Sequence, residues 1–150
     1  MTFHGIKELA DRLKSDPIST PINGMLLALT TFIIRMARGY TPVYLGDLRD
    51  SYEFEMSGGA GPVSEFVFIG SPLKYAPYVE FGTRPHWPPR AALLAWAASK
   101  GIEVFLVQRA IATRGTFGIH MLAKAVNDHI GEINYIVGSA AWHIEDVMKP

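Results

Sequence analysis

The chain has 150 residues, of which 49% are hydrophobic and 19% charged, a globular composition and not that of a disordered chain. Fourteen basic side chains balance fourteen acidic ones, so the basic excess of a generic nucleic-acid binder is missing. There is no cysteine, which excludes disulfides, thiolate zinc sites and a Cys nucleophile and fits a protein made and used in a reducing cytosol.

Ile6, Leu9, Ala10 and Leu13 recur at the i, i+3, i+4, i+7 spacing of a short amphipathic helix, which Asp16-Pro17 closes. The first residues lack a basic stretch followed by an apolar run, so no signal peptide is expected. Thr20-Pro21 reads as an N-cap followed by proline at the first helical position. The helix it opens should run to Arg38, with Gly39 as its left-handed terminator. Its apolar run, Met25 to Ile34, is too short for a membrane span, which takes about 20 residues.

Tyr52 to Met56 alternates aromatic or apolar with acidic residues, and Val63 to Ile69 resumes as a second strand. Ser57-Gly-Gly-Ala-Gly-Pro62 joins them as a hairpin tip. Pro88-Pro89 introduces a helix from Arg90 to Lys100 stopped by Gly101, and Glu103 to Thr113 forms another, ended by Gly115. Beyond Ile119 the apolar gaps of three and four fit one long helix to the C-terminus, with a strand over Ile133 to Val137 as the alternative. Gly131 and Gly138 weaken that helix by roughly 1 kcal/mol each. No internal repeat, low-complexity tract or linker is present. The expectation is a single α+β domain over residues 1–150, a small antiparallel hairpin sheet packed on several helices.

The densest stretch is Tyr75-Ala-Pro-Tyr-Val-Glu-Phe-Gly-Thr-Arg-Pro-His-Trp87. One reading makes Tyr75, Tyr78, Val79 and Phe81 core residues leaving the sheet, Gly82-Thr83 a turn, and Glu80 a solvated or capping carboxylate. The other makes Tyr78, Glu80, Arg84, His86 and Trp87 a subunit contact, since aromatics and Arg concentrate in interface hot spots. Pro85, Pro88 and Pro89 stiffen the loop. Gly59 and Gly61 at the hairpin tip are further contact candidates, because such tips reach neighbours.

This stretch resembles the Tyr-Ala-x-Tyr-Val-Glu-Phe-Gly-Thr signature of the HK97 gp10-like family, neck or tail-completion proteins of long-tailed bacteriophages. Two flanking elements resemble the family's in the same order. Thr41 to Ser51 is similar to its Pro-x-x-x-Gly-x-Leu-Arg-x-Ser element, and Ile111 to Thr116 to its Ile-x-x-x-Gly-Thr segment. The resemblance implies a structural virion protein without cofactor or catalytic residues. Such a subunit assembles with itself into a ring of roughly six or twelve copies, between a tail terminator or tail tube protein and a head-closure or connector protein. DNA passes through the ring without sequence-specific binding, and no membrane is involved. Its interface residues would include Tyr75, Tyr78, Glu80, Phe81, Gly82, Thr83, Arg84, His86 and Trp87.

Rival readings make different demands. A tail terminator shares the size and ring assembly. A small metal-dependent hydrolase would use Glu80, His86 and Asp128 or His129. However, the chain lacks the His-x-x-x-His and His-Glu-x-x-His spacings, and it has neither a Gly-x-Ser-x-Gly elbow nor a phosphate loop. A stand-alone DNA-binding protein would use Arg35, Arg38, Arg49, Arg109, Arg114 and Lys124, which are spread thinly among carboxylates.

Overall fold

The computed structural model describes residues 19–44, 46–58 and 65–148. The expected helix over Ile6 to Leu13 and the tip glycines Gly59 and Gly61 lie outside these. The described part is α+β, with seven helices and two small antiparallel sheets.

Helix α1 (Ser19–Tyr40) is the central strut. Thr20 and Pro21 lie inside its first turn, and Gly39 belongs to the helix instead of ending it. The left-handed turn falls later, at Gly46 with φ 95°. Thr41 closes the end of α1, where its Oγ1 donates to Ala37 O (2.7 Å) and its N–H to Arg38 O (3.4 Å). One turn of helix, α2 (Asp47–Asp50), then leads to strands β1 (Glu53–Gly58) and β2 (Glu65–Gly70). These form the expected antiparallel pair, with Phe54 opposite Ile69 and Glu55 opposite Phe68.

The signature stretch folds differently from a turn leaving a sheet. It makes a short helix, α3 (Ala76–Phe81), followed directly by a two-residue strand, β3 (Gly82–Thr83). Helices α4 (Arg90–Ser99) and α5 (Val104–Arg114) follow where the proline pair and Gly101 predict them. Strand β4 (Thr116–Phe117) pairs with β3. The expected single C-terminal helix is two, α6 (Met121–Asn127) and α7 (Ile130–Met148). The break at Asp128-His129 is held by α1: Tyr40 Oη donates to Asp128 Oδ2 (2.7 Å), and the His129 ring stands edge-on to Phe32 at 5.7 Å. Residues 133–137 are helical, so the strand alternative falls.

The core lies where α1, α6 and the hairpin meet. Ile34, Ala37, Tyr52 and Ala125 are buried there, with Ile33, Met36, Ile69 and Leu122 packed around them. It is thin. Among the described residues eight hydrophobic side chains are buried and twenty-one large ones are exposed. Among the described residues no single helix is long and apolar enough to cross a membrane; α4 and α5 together are, but they bend by 118° at their junction.

Candidate functional site

The signature residues sort by which side of α3 they occupy. Tyr75, Tyr78 and Phe81, three apart, project outward and are 44%, 60% and 74% exposed. Glu80, on the opposite side, is buried at 7%. Its carboxylate reaches the first turn of α6, where Leu122 N–H donates to Oε2 (3.2 Å) and Ala123 N–H to Oε1 (3.3 Å). Those two donors have no partner within their own helix, so Glu80 caps α6 across 42 residues of sequence. The backbone reinforces the join: Ile119 N–H donates to Val79 O (2.9 Å) and His120 N–H to Glu80 O (3.0 Å). Glu80 is thus the capping carboxylate of the first reading, buried instead of lying among the exposed contact candidates.

Beside it lies a buried polar cluster. Tyr52 Oη is 3.0 Å from Thr41 Oγ1 and donates to Met121 Sδ at 3.5 Å. Burial pushes the Tyr52 phenol above its usual range, the Thr41 hydrogen bond opposes this, and the charge of Glu80 adds to the rise.

The Gly-Thr pair of the signature is matched by a second one. Gly82 ends α3 and Gly115 ends α5, each at positive φ (78° and 73°). Each donates its N–H back into its helix, to Tyr78 O and to Ile111 O. The two Gly-Thr strands then cross: Thr83 faces Thr116 and Gly82 faces Phe117. The threonine hydroxyls lie 3.0 Å apart, and Thr116 N–H donates to Thr83 Oγ1 (3.2 Å).

Only glycine fits this crossing. A Cβ on Gly82 would lie 2.2 Å from Thr116 O, one on Gly115 2.0 Å from Thr83 O, and one on Gly118 2.5 Å from Glu80 O. Two helix–Gly–Thr units therefore lock face to face. No internal repeat is visible in the sequence because the shared element is two residues long.

From this lock the loop residues 84–89 run outward. Arg84, Pro85 and His86 are exposed, and the His86 ring is held by Nδ1 at 2.9 Å from Arg84 O. Trp87 is 58% exposed, with one edge against Phe105 at 6.2 Å. Buried Gln108 anchors the loop base by donating from Nε2 to Pro88 O (2.9 Å). Tyr78, Gly82, Thr83, Arg84, Pro85 and His86 line a shallow depression of 530 Å³. Tyr75 turns to a second groove, of 470 Å³, with Tyr44, Val79, Trp96 and Lys100.

Phe117, missed by sequence reasoning, joins this surface. It is 88% exposed and sits opposite Gly82 in the β3–β4 pair. The repeated Gly-Thr was the available signal. Gly59 and Gly61 cannot be placed relative to the patch, since both fall outside the described residues. The hydrolase candidates are dispersed: Glu80 caps α6, His86 lies on its own loop, Asp128 holds Tyr40, and His129 packs on Phe32. Among the described residues no three His, Asp or Glu side chains converge in a way that could hold a metal ion.

Compared with protein-family models, with curated proteins and with solved structures, the chain matches none.

Proposed function

We propose that this protein is a structural virion subunit, a tail-completion or neck protein that forms a ring joining the tail of a long-tailed bacteriophage to its head connector. The observation that carries the reading is the construction of the signature. Its Glu80 and Gly82 tie α3 to α6 and β4 from behind, and Gln108 ties the loop base, while Tyr75, Tyr78, Phe81 and Trp87 stand exposed. Aromatics held rigidly at a surface lose little freedom on contact, which is how interface hot spots are built. The ordered resemblance of three sequence elements to the HK97 gp10-like pattern supports the biological setting of this reading. The balanced charge suits a ring that must let DNA pass, because a strongly basic bore would hold the DNA by counterion release.

The test is electron microscopy of lysates from the encoding phage with this gene disrupted. The expected outcome is DNA-filled heads beside free tails of normal length. Tails of uncontrolled length would assign the protein to the terminator step instead. Intact infectious particles would remove the virion reading and reopen the enzyme one.

A further inference from the structure

The β1–β2 hairpin is an unfinished sheet. It has two strands, and among the described residues no backbone hydrogen bond ties either outer edge to another segment. Two strands alone are marginal in water, and open edges invite another strand. The register places Phe54 and Met56 on the face with Val67 and Ile69, where Ile69 meets the core. Glu53, Glu55, Phe66 and Phe68 share the other face. Phe66 and Phe68 are 49% and 62% exposed there, with their rings 5.5 Å apart in an edge-to-face pair.

From these edges we infer that the outer edge of β2 pairs with the outer edge of β1 in a second copy of this chain, antiparallel and head to tail. The charges select this arrangement. Pairing β1 with β1 would set Glu53 and Glu55 of one copy beside those of the other, a like-charge contact that destabilises a sheet. Phe66 to Gly70 of β2 carries no charge. Joining β2 to a neighbour's β1 repeats a side-chain match already present within the hairpin, where Glu55 faces Phe68. It also satisfies both edges of every copy, whereas joining β2 to β2 leaves each β1 edge open. Head-to-tail contacts of this kind close into rings when the rotation between copies closes, and run on as open filaments when it does not. The inference deepens the ring reading and rests on it for closure, while the strand pairing is argued from the hairpin alone.

The absence of native cysteine makes the test clean. Single-cysteine variants of the full chain are made on β1 (Glu53→Cys, Glu55→Cys) and on β2 (Phe66→Cys, Phe68→Cys). Each is treated, alone and in β1-plus-β2 mixtures, with a thiol linker of about 5–8 Å reach. That is shorter than the roughly 10 Å separating equivalent strands of successive copies. The expected result is a covalent dimer in mixtures that neither variant gives alone. Dimers from a β2 variant alone would overturn the head-to-tail pairing in favour of a two-fold one, and dimers from a β1 variant alone would overturn the charge argument. Sedimentation of the untreated native protein separates the remaining cases. A native ring with no cross-link removes the hairpin from the contact and leaves the ring reading standing. A native monomer at every concentration, with no cross-link, removes both.

Discussion

Glu80 shows how one side chain can serve two sections of a fold. Its carboxylate accepts two backbone N–H groups of α6 while its own residue sits in α3, so it couples the signature to the core helices. Glu80→Ala would leave those donors without a partner in a site closed to water, and the expected loss is about 1–3 kcal/mol. Glu80→Gln, which keeps one acceptor oxygen, should lose less; urea denaturation of the three proteins checks the order.

Tyr52 makes a second prediction at this scale. Burial holds its folded-state pKa above the usual tyrosine range, so its contribution to stability is complete below about pH 10. Above it the unfolded chain gives up the phenolic proton first, and stability falls as pH rises toward the folded pKa. A Tyr52→Phe variant should show a shallower decline above about pH 10 in the same denaturation series. A capping role for Glu80 was one of the two readings of its stretch, but the backbone it caps was not legible, and no sign of Tyr52's role was readable. Glu80 sits in a stretch rich in plausible contact residues, and the backbone it caps lies beyond two intervening helices.

At the scale of elements, glycine has opposite meanings at different places. Gly131 and Gly138 lie in α7, and a Cβ on either would meet nothing within 4 Å. Replacing either with alanine should stabilise the protein by up to about 1 kcal/mol, through helix propensity and a smaller unfolded-state entropy. Gly82→Ala or Gly115→Ala combines a positive φ with a Cβ driven into the facing backbone, and should cost at least about 2 kcal/mol or prevent folding. Thermal melts of the four variants separate the two classes.

The same contrast marks what sequence could reveal. Helices α4 and α5 were readable because proline and glycine punctuate them. The β3–β4 crossing was not, because two-residue strands have no period. The break between α6 and α7 was hidden because the apolar spacing continues through it, from Val126 to Ile130 to Ile133. What stops the helix there is Tyr40 and Phe32 on a distant strut. The hairpin was legible in its alternation, but its missing neighbours were not.

At the scale of the whole molecule, the described residues bury eight hydrophobic side chains and leave twenty-one large ones exposed. Net charge is zero, and the described charged contacts are Arg49 with Asp50 at 3.3 Å, both exposed, and half-buried His129 with exposed Glu132 at 3.6 Å. Exposed pairs of this kind contribute little to stability, so self-association should rest on apolar burial. Replacing Tyr78, Phe81 and Trp87 together by serine removes side chains that are 60%, 74% and 58% exposed. Folding stability should therefore stay within about 1 kcal/mol of the native protein. Under the proposed neck function these side chains are the docking contacts, and their loss should weaken docking to the partner assembly at least tenfold, on the order of 1.4 kcal/mol or more. Ring formation through the hairpin should survive it. Analytical ultracentrifugation in low salt and in sulfate completes the argument. Apolar association strengthens with sulfate, whereas association through surface charge would weaken as salt screens it. A folded triple variant that still forms rings but no longer docks would assign the two surfaces to different partners: the hairpin to its own kind, the signature to the neighbouring protein.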